Sequence, residues 1–134
     1  MVEAGAGSDG LPEALRLQAL AVLAQRLKGD HEELVEFLAG GLARTLPHAV
    51  RVHRRGLAAW SRVTSVEVLL GQRQYEVHLR HGRLETVLAQ VVGGVVLRHD
   101  RLPVDSWIEG LLGDLERTAE ESETTRAALS RLFL

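Results

Sequence analysis

From Pro12 onward apolar residues recur at spacings of three and four, through Leu15, Ala19, Leu20, Leu23, Ala24 and Leu27. This is the stripe of an amphipathic helix with proline in its first turn, and it stops at Gly29. Asp30, with Glu33 three residues on, has capping-box spacing and opens a second helix through Leu34, Val35, Leu38, Leu42 and Leu46. Pro47 ends that helix, and the tight joint at Gly29 and Asp30 makes the pair a hairpin or a corner. Gly40 and Gly41 inside the second helix each cost about 1 kcal/mol relative to alanine, which marks either a weak point or a close neighbour.

After Pro47 the period drops to two. Val50 and Val52 alternate with Arg51 and His53, Val66, Val68 and Leu70 with Ser65 and Glu67, and Tyr75, Val77 and Leu79 with Glu76, His78 and Arg80. Gly71-Gln72 and His81-Gly82 suit two-residue hairpin turns, the first with glycine where a type II′ turn needs it. Both turns can be checked, because residues directly opposite in a hairpin share a face. Pairing Leu70 with Arg73 sets Val68 against Tyr75 and Val66 against Val77. Pairing Arg80 with Arg83 sets Leu79 against Leu84 and Tyr75 against Leu88, so the two registers agree on a meander.

The run from Val87 to Leu97 has a single polar side chain, Gln90, and no alternation, so it calls for cover on both faces. Gly93-Gly94 is read as a turn into a fifth strand, the alternative being one long bulged strand. The stretch between Arg54 and Arg62 has no period and reads as a loop, with Trp60 folded back on the core. Beyond Leu102-Pro103 a long C-terminal helix begins at Val104 and runs through Ile108, Leu111, Leu112, Leu115 and Ala119 towards Leu129, Leu132 and Phe133. Its middle, from Glu120 to Arg126, is polar on nearly every side and therefore projects into solvent or kinks. The expected class is α+β: two N-terminal helices, an antiparallel meander of four or five strands, and a long C-terminal helix. Residues 1–10 read as a disordered tail and residues 11–134 as a single α+β domain.

Composition narrows the chemistry. The 134 residues contain no cysteine, which removes disulfides, thiolate metal sites and cysteine nucleophiles. No basic-then-apolar leader and no apolar run of about 20 residues is present, so the expectation is a cytoplasmic protein with no membrane association. The net charge of −2 hides a strong segregation. Residues 1–43 carry seven acids and three bases, residues 44–101 four acids and ten arginines, and residues 102–134 seven acids and three arginines. Acidic helices thus flank a basic sheet.

His78 and His81, like His48 and His53, stand at odd separations that point to opposite strand faces, which makes poor chelating pairs, so no metal site is expected. The register lines up Ser65, His78 and Glu85 across three strands, a nucleophile, base and acid in a row, but on an open face with no oxyanion site beside it. Glu67 and Glu76 face each other in the same register. The glycines match no phosphate loop, since Gly93-Gly94 lacks the lysine and hydroxyl residue that must follow. No catalytic residue and no cofactor is expected.

The remaining signals concern binding. Val87, Val91 and Val96, on the face away from the meander's core, form one apolar patch that needs a partner, and Leu132 and Phe133 form another. Arg51, His53, Arg54, Arg55, Arg80 and Arg83 form a candidate anion site, because the arginine fork suits phosphate or carboxylate. The functional expectation is a non-catalytic protein–protein interaction module, adaptor- or chaperone-like, acting on a protein partner or on itself as a homodimer. The alternative is anion or nucleic-acid binding through the arginine-rich sheet.

Overall fold

The computed structural model describes residues 18, 19, 22, 25, 31–56 and 62–133. Helix α1 spans His31–Thr45, and five strands follow: β1 Val50–Arg54, β2 Val63–Leu70, β3 Arg73–Arg80, β4 Arg83–Val92 and β5 Val95–Arg101. Helices α2, Val104–Glu121, and α3, Glu123–Phe133, complete the described chain. The sheet is antiparallel throughout and its strand order is the chain order. The class is α+β with the sheet between an N-terminal helix and the C-terminal helical segment.

Two expectations about helices need correction. The structure has one N-terminal helix, not two, among the elements it describes. Of the first expected helix only Gln18, Ala19, Val22 and Gln25 fall within the described residues; all four are helical and Ala19 is fully buried. The rest of that helix, its joint at Asp30, the 1–10 tail and Trp60 lie outside the described residues. The long C-terminal helix is in fact two. Ser122 is extended, with φ −148° and ψ 118°, and its hydroxyl accepts from Thr125 N–H at 3.2 Å. A serine oxygen that caps the next helix offers the backbone an alternative to continuing the first, which is why the polar stretch breaks there.

The meander follows the pleat. Leu70 faces Arg73, Val68 faces Tyr75 and Val66 faces Val77, while Leu79 faces Leu84 and Tyr75 faces Leu88. Gly93 and Gly94, with φ 59° and 81°, make the turn that separates β4 from β5, and Val92 faces Val95 across it. Two positive φ values are the signature of a type I′ hairpin, whose twist matches that of the strands.

All the core residues of the sheet lie on one face. Val66, Val68, Leu70, Tyr75 and Val77 form a single cluster with Leu34, Leu38 and Leu42 of α1, Trp107, Leu111 and Leu115 of α2, and Leu129 and Phe133 of α3. Tyr75 is at its centre, fully buried. Its hydroxyl donates to the buried carboxylate of Asp114, and its ring meets Trp107 edge-on at 6.0 Å. The segment that leads into α2 is tied to β4 by Leu102 N–H to Thr86 O at 3.0 Å, Thr86 Oγ1 to Leu102 O at 2.6 Å and Trp107 Nε1 to Val87 O at 3.0 Å. These bonds satisfy buried polar groups and fix α2 in position and rotation over the sheet.

Gly110 is where α2 crosses Tyr75 most closely: a Cβ there would stand 3.1 Å from the Tyr75 hydroxyl and 3.2 Å from Cε1. A Cβ on Gly113, one turn on, would meet nothing within 4 Å. Gly113→Ala should therefore stabilise the protein by about 1 kcal/mol through helix propensity alone. Gly110→Ala should instead destabilise it by roughly 1–3 kcal/mol, because the tyrosine is pinned and cannot give way. Urea denaturation of the two variants checks this, and equal gains from both would show that α2 does not rest on Tyr75.

Candidate functional site

Strand alternation sends Arg51, His53, Ser65, Glu67, Gln74, Glu76, His78, Glu85, Val87, Ala89, His99 and Arg101 to the face away from the core. Glu76 is the hub of a polar cluster there. It is buried, with Gln74 Nε2 2.8 Å from Oε2, and with Nε2 of His78 at 3.2 Å and of His99 at 3.5 Å from Oε1. Burial pushes its pKa up, but hydrogen bonds from Gln74, His78 and His99 and the charge of His99 outweigh this and leave it below the ordinary 4.5. Beside it His53 Nε2 lies 3.4 Å from Glu67, and Arg101 lies 3.2 Å from Glu85.

The expected row of Ser65, His78 and Glu85 exists as a register, each directly opposite the next. Its wiring is different. His78 turns to Glu76 within its own strand and Glu85 turns to Arg101 of β5. The side chains form an ion-paired sheet surface, with the acid committed away from the histidine it would have to orient. Among the described residues no group of three histidines and carboxylates is placed to hold a metal ion.

The anion candidates come partly together. Arg80 stands directly opposite Arg83 at the β3–β4 turn, both exposed and on the helix-free face, as are Arg51 and His53 two strands away. No carboxylate among the described residues pairs with Arg80 or Arg83. Arg54 sits at a register shift at the end of β1, and Arg55 leaves the strand, its N–H bonded to Arg62 O at 2.9 Å. The set is thus a basic end of the sheet with three acids, Glu67, Glu76 and Glu85, on the same face.

The apolar candidates separate. Phe133 is only 3% exposed and packs against Phe37, with ring centroids 6.3 Å apart; Leu132 lies against Gly41, where a Cβ would approach its Cδ1 to 2.5 Å. The C-terminal pair is part of the core, because the break at Ser122 lets α3 fold back on α1, so it offers no patch to a partner. Val87 is likewise buried, at 2% exposure, beside Glu76 and Arg101. Val91 is half-buried and faces Val96, which is 53% exposed.

What remains of the patch belongs to β5, together with residues the alternation did not single out: Val95 and Leu97 are 58% and 61% exposed. No residue of β5 joins the core. The signal was present in the non-alternating run from Val87 to Leu97, which called for cover on both faces, although the patch expected at Val87, Val91 and Val96 occupies one face alone. Among the described residues the strand shows both faces to solvent and ends the sheet, so no described strand pairs with one of its edges. At the opposite end of the sheet, β1 packs under α1. Both end strands carry two arginines and a register shift, at His53/Arg54 in β1 and against Gln90/Val91 of β4 in β5, so what separates them is that β1 is covered and no residue of β5 joins the core.

Two clefts flank this region. One, about 380 Å³, lies between the β2–β3 turn and α2, where Arg73 and Arg117 both reach the buried Asp114. The other, about 490 Å³, lies beside β5 on the helix-bearing face, lined by Arg73, Leu88, Gln90, Arg98 and Asp100. Among the described residues no helix is long and apolar enough to cross a membrane. Compared with models of known protein families, with curated proteins and with solved structures, the chain matches none.

Because the Glu76 carboxylate is held below its unfolded pKa, the unfolded chain takes up a proton first as pH falls. The stability it contributes is present above about pH 4.5 and is lost as pH drops through the lower folded value. Glu76→Gln should flatten the fall of stability below that pH and lower stability above it by about 1 kcal/mol. Denaturation midpoints measured from pH 3 to 7 would show this, and parallel curves for the two proteins would exclude it.

Proposed function

We propose that the protein is a non-catalytic polypeptide-binding module that takes an extended segment of a partner onto the open edge of β5. The observation that carries this reading is the combination found in that strand: seven residues at the sheet's edge, none in the core, with Val95, Val96 and Leu97 each more than half exposed. An edge strand presents unsatisfied N–H and C=O groups, and strand addition satisfies them while side-chain contacts supply selectivity. The apolar run adds a driving force of about 1 kcal/mol for each half-exposed side chain it removes from water.

Ladder geometry identifies the groups that face outward. Leu102 N–H bonds to Thr86 O, so alternation along an antiparallel pair turns Asp100 and Arg98 towards β4. The N–H and C=O of His99 and Arg101 then point to the open edge. Adaptor and chaperone roles both use such an edge, and a homodimer would be a special case in which a second copy supplies the added strand.

The basic end of the sheet supports a second reading. Arg80 and Arg83, directly opposite and without a carboxylate partner among the described residues, repel each other, and a bound phosphate or carboxylate would relieve that. It requires binding that weakens steeply with salt.

Proline at position 99 removes an outward N–H without cutting the ladder to β4, whereas threonine keeps it. His99→Pro should fold and lose, by at least tenfold, the partner protein that wild type and His99→Thr retain from native extract. Equal retention by His99→Pro would sink strand addition at β5. The second reading expects mixed-sequence DNA or RNA to bind at about 50 mM salt and to be released by Arg80→Glu with Arg83→Glu. No binding at that salt would dispose of it.

A further inference from the structure

Resting on the strand-addition reading, we infer that the segment bound by β5 is acidic in its amino-terminal half and apolar in its carboxyl-terminal half, and runs antiparallel to the strand. The basis is the polarity of β5 itself. Its first three residues, Val95, Val96 and Leu97, are apolar; its last four, Arg98, His99, Asp100 and Arg101, are charged or titratable. A complementary strand must carry the same division in reverse. In an antiparallel pair, the continuation of this sheet's own pattern, the partner's amino end lies against Arg101 and its carboxyl end against Val95.

The charged half has capacity for carboxylates. Arg98 meets Asp100 at 2.6 Å and Arg101 meets Glu85 at 3.2 Å, yet their side chains are 72% and 78% exposed, which leaves guanidinium N–H groups open to a second acceptor. Arg73, 55% exposed and 3.6 Å from Asp114, faces Arg98 across the 490 Å³ cleft beside β5. Acidic side chains on that face of an added strand would enter between these two arginines. On the other face they would meet His99 and Arg101.

The same polarity disfavours a second copy as the occupant. Antiparallel self-pairing about a two-fold axis sets each apolar half against a charged half. In the fully overlapped register it also places Arg98 directly opposite the second copy's Arg98, a like-charge pair that destabilises a sheet. Sliding the strands until the valines meet leaves the charged halves unpaired. A heterologous strand of opposite polarity meets neither difficulty.

Three fluorescently labelled synthetic peptides of about eight residues test this with the full-length protein: glutamates followed by valines and isoleucine, the same residues in reversed order, and the first peptide with lysine for glutamate. The first should bind at least tenfold tighter than the other two. Arg98→Glu with Arg101→Glu should invert the preference towards the lysine peptide, with circular dichroism verifying the fold, and Arg98→Gln should give an intermediate loss. His99→Pro should abolish binding of every peptide.

Equal or tighter binding of the reversed or the lysine peptide, still abolished by His99→Pro, would overturn the inferred polarity while leaving strand addition intact. Binding insensitive to His99→Pro would remove both. No binding of any peptide at about 1 mM would overturn the proposal. A free protein of twice 14.7 kDa that becomes monomeric in His99→Pro would assign the edge to a second copy and overturn it as well.

Discussion

A single buried hydrogen bond, from the Tyr75 hydroxyl to the carboxylate of Asp114, sets the geometry on which the rest of the structure depends. Tyrosine buried at the centre of a sheet must find a partner for its hydroxyl, since an unsatisfied one costs on the order of 1–3 kcal/mol. Asp114, buried in turn, would be an uncompensated charge without Tyr75, Arg73 and Arg117 around it. The two residues therefore require each other, and the requirement fixes α2 over β3. Gly110 permits the close approach, and Trp107, bonded to the carbonyl of Val87, fixes the rotation.

Once α2 is placed there, the distribution of surfaces follows. With α2 over the middle of the sheet and α1 over β1 and β2, α3 fills the remaining space against α1 through Phe133 and Leu132. Every described helix is then committed to one face. The other face keeps a network of ion pairs around Glu76, and β5 lies beyond the helical layer. The two ends of the sheet become unequal as a result: one packed under a helix, the other outside the core, with three exposed apolar residues followed by Arg98, His99, Asp100 and Arg101. The binding role proposed for β5 rests on this asymmetry more than on any single residue.

The meander was legible residue by residue. Val68 against Tyr75 and Leu79 against Leu84 could be paired from the sequence, because turn residues and a period of two are local and a slip of one residue would turn every valine to the wrong face. The apolar candidates were less legible. Phe133 was expected at a surface because the polar stretch before it interrupts the helical stripe; nothing local announces that Ser122 ends one helix and caps the next in a direction that returns the chain to the core. Val87 and Val96 looked like one patch because both are valines on one face, yet Val87 lies buried among Glu76, Arg101 and Ala89, while Val96 lies on the outermost strand among the described residues. The histidines show the same limit: His78 was matched to Ser65 and Glu85 by register, while the contact it makes is with Glu76 two residues away on its own strand.

By itself, then, the sequence determined the α+β class, an antiparallel meander of four or five strands, the registers of its two hairpins and the concentration of arginine in the sheet, because each is encoded within a few residues or by counting. Tertiary structure alone decided which face of the sheet is covered, that Phe133 is core with Leu132 packed against it, and that β5 is left, among the described residues, with a free edge and two exposed faces. Those outcomes depend on contacts between residues far apart in the chain, Tyr75 with Asp114 and Trp107 with Val87, and no local pattern specifies where a helix will dock.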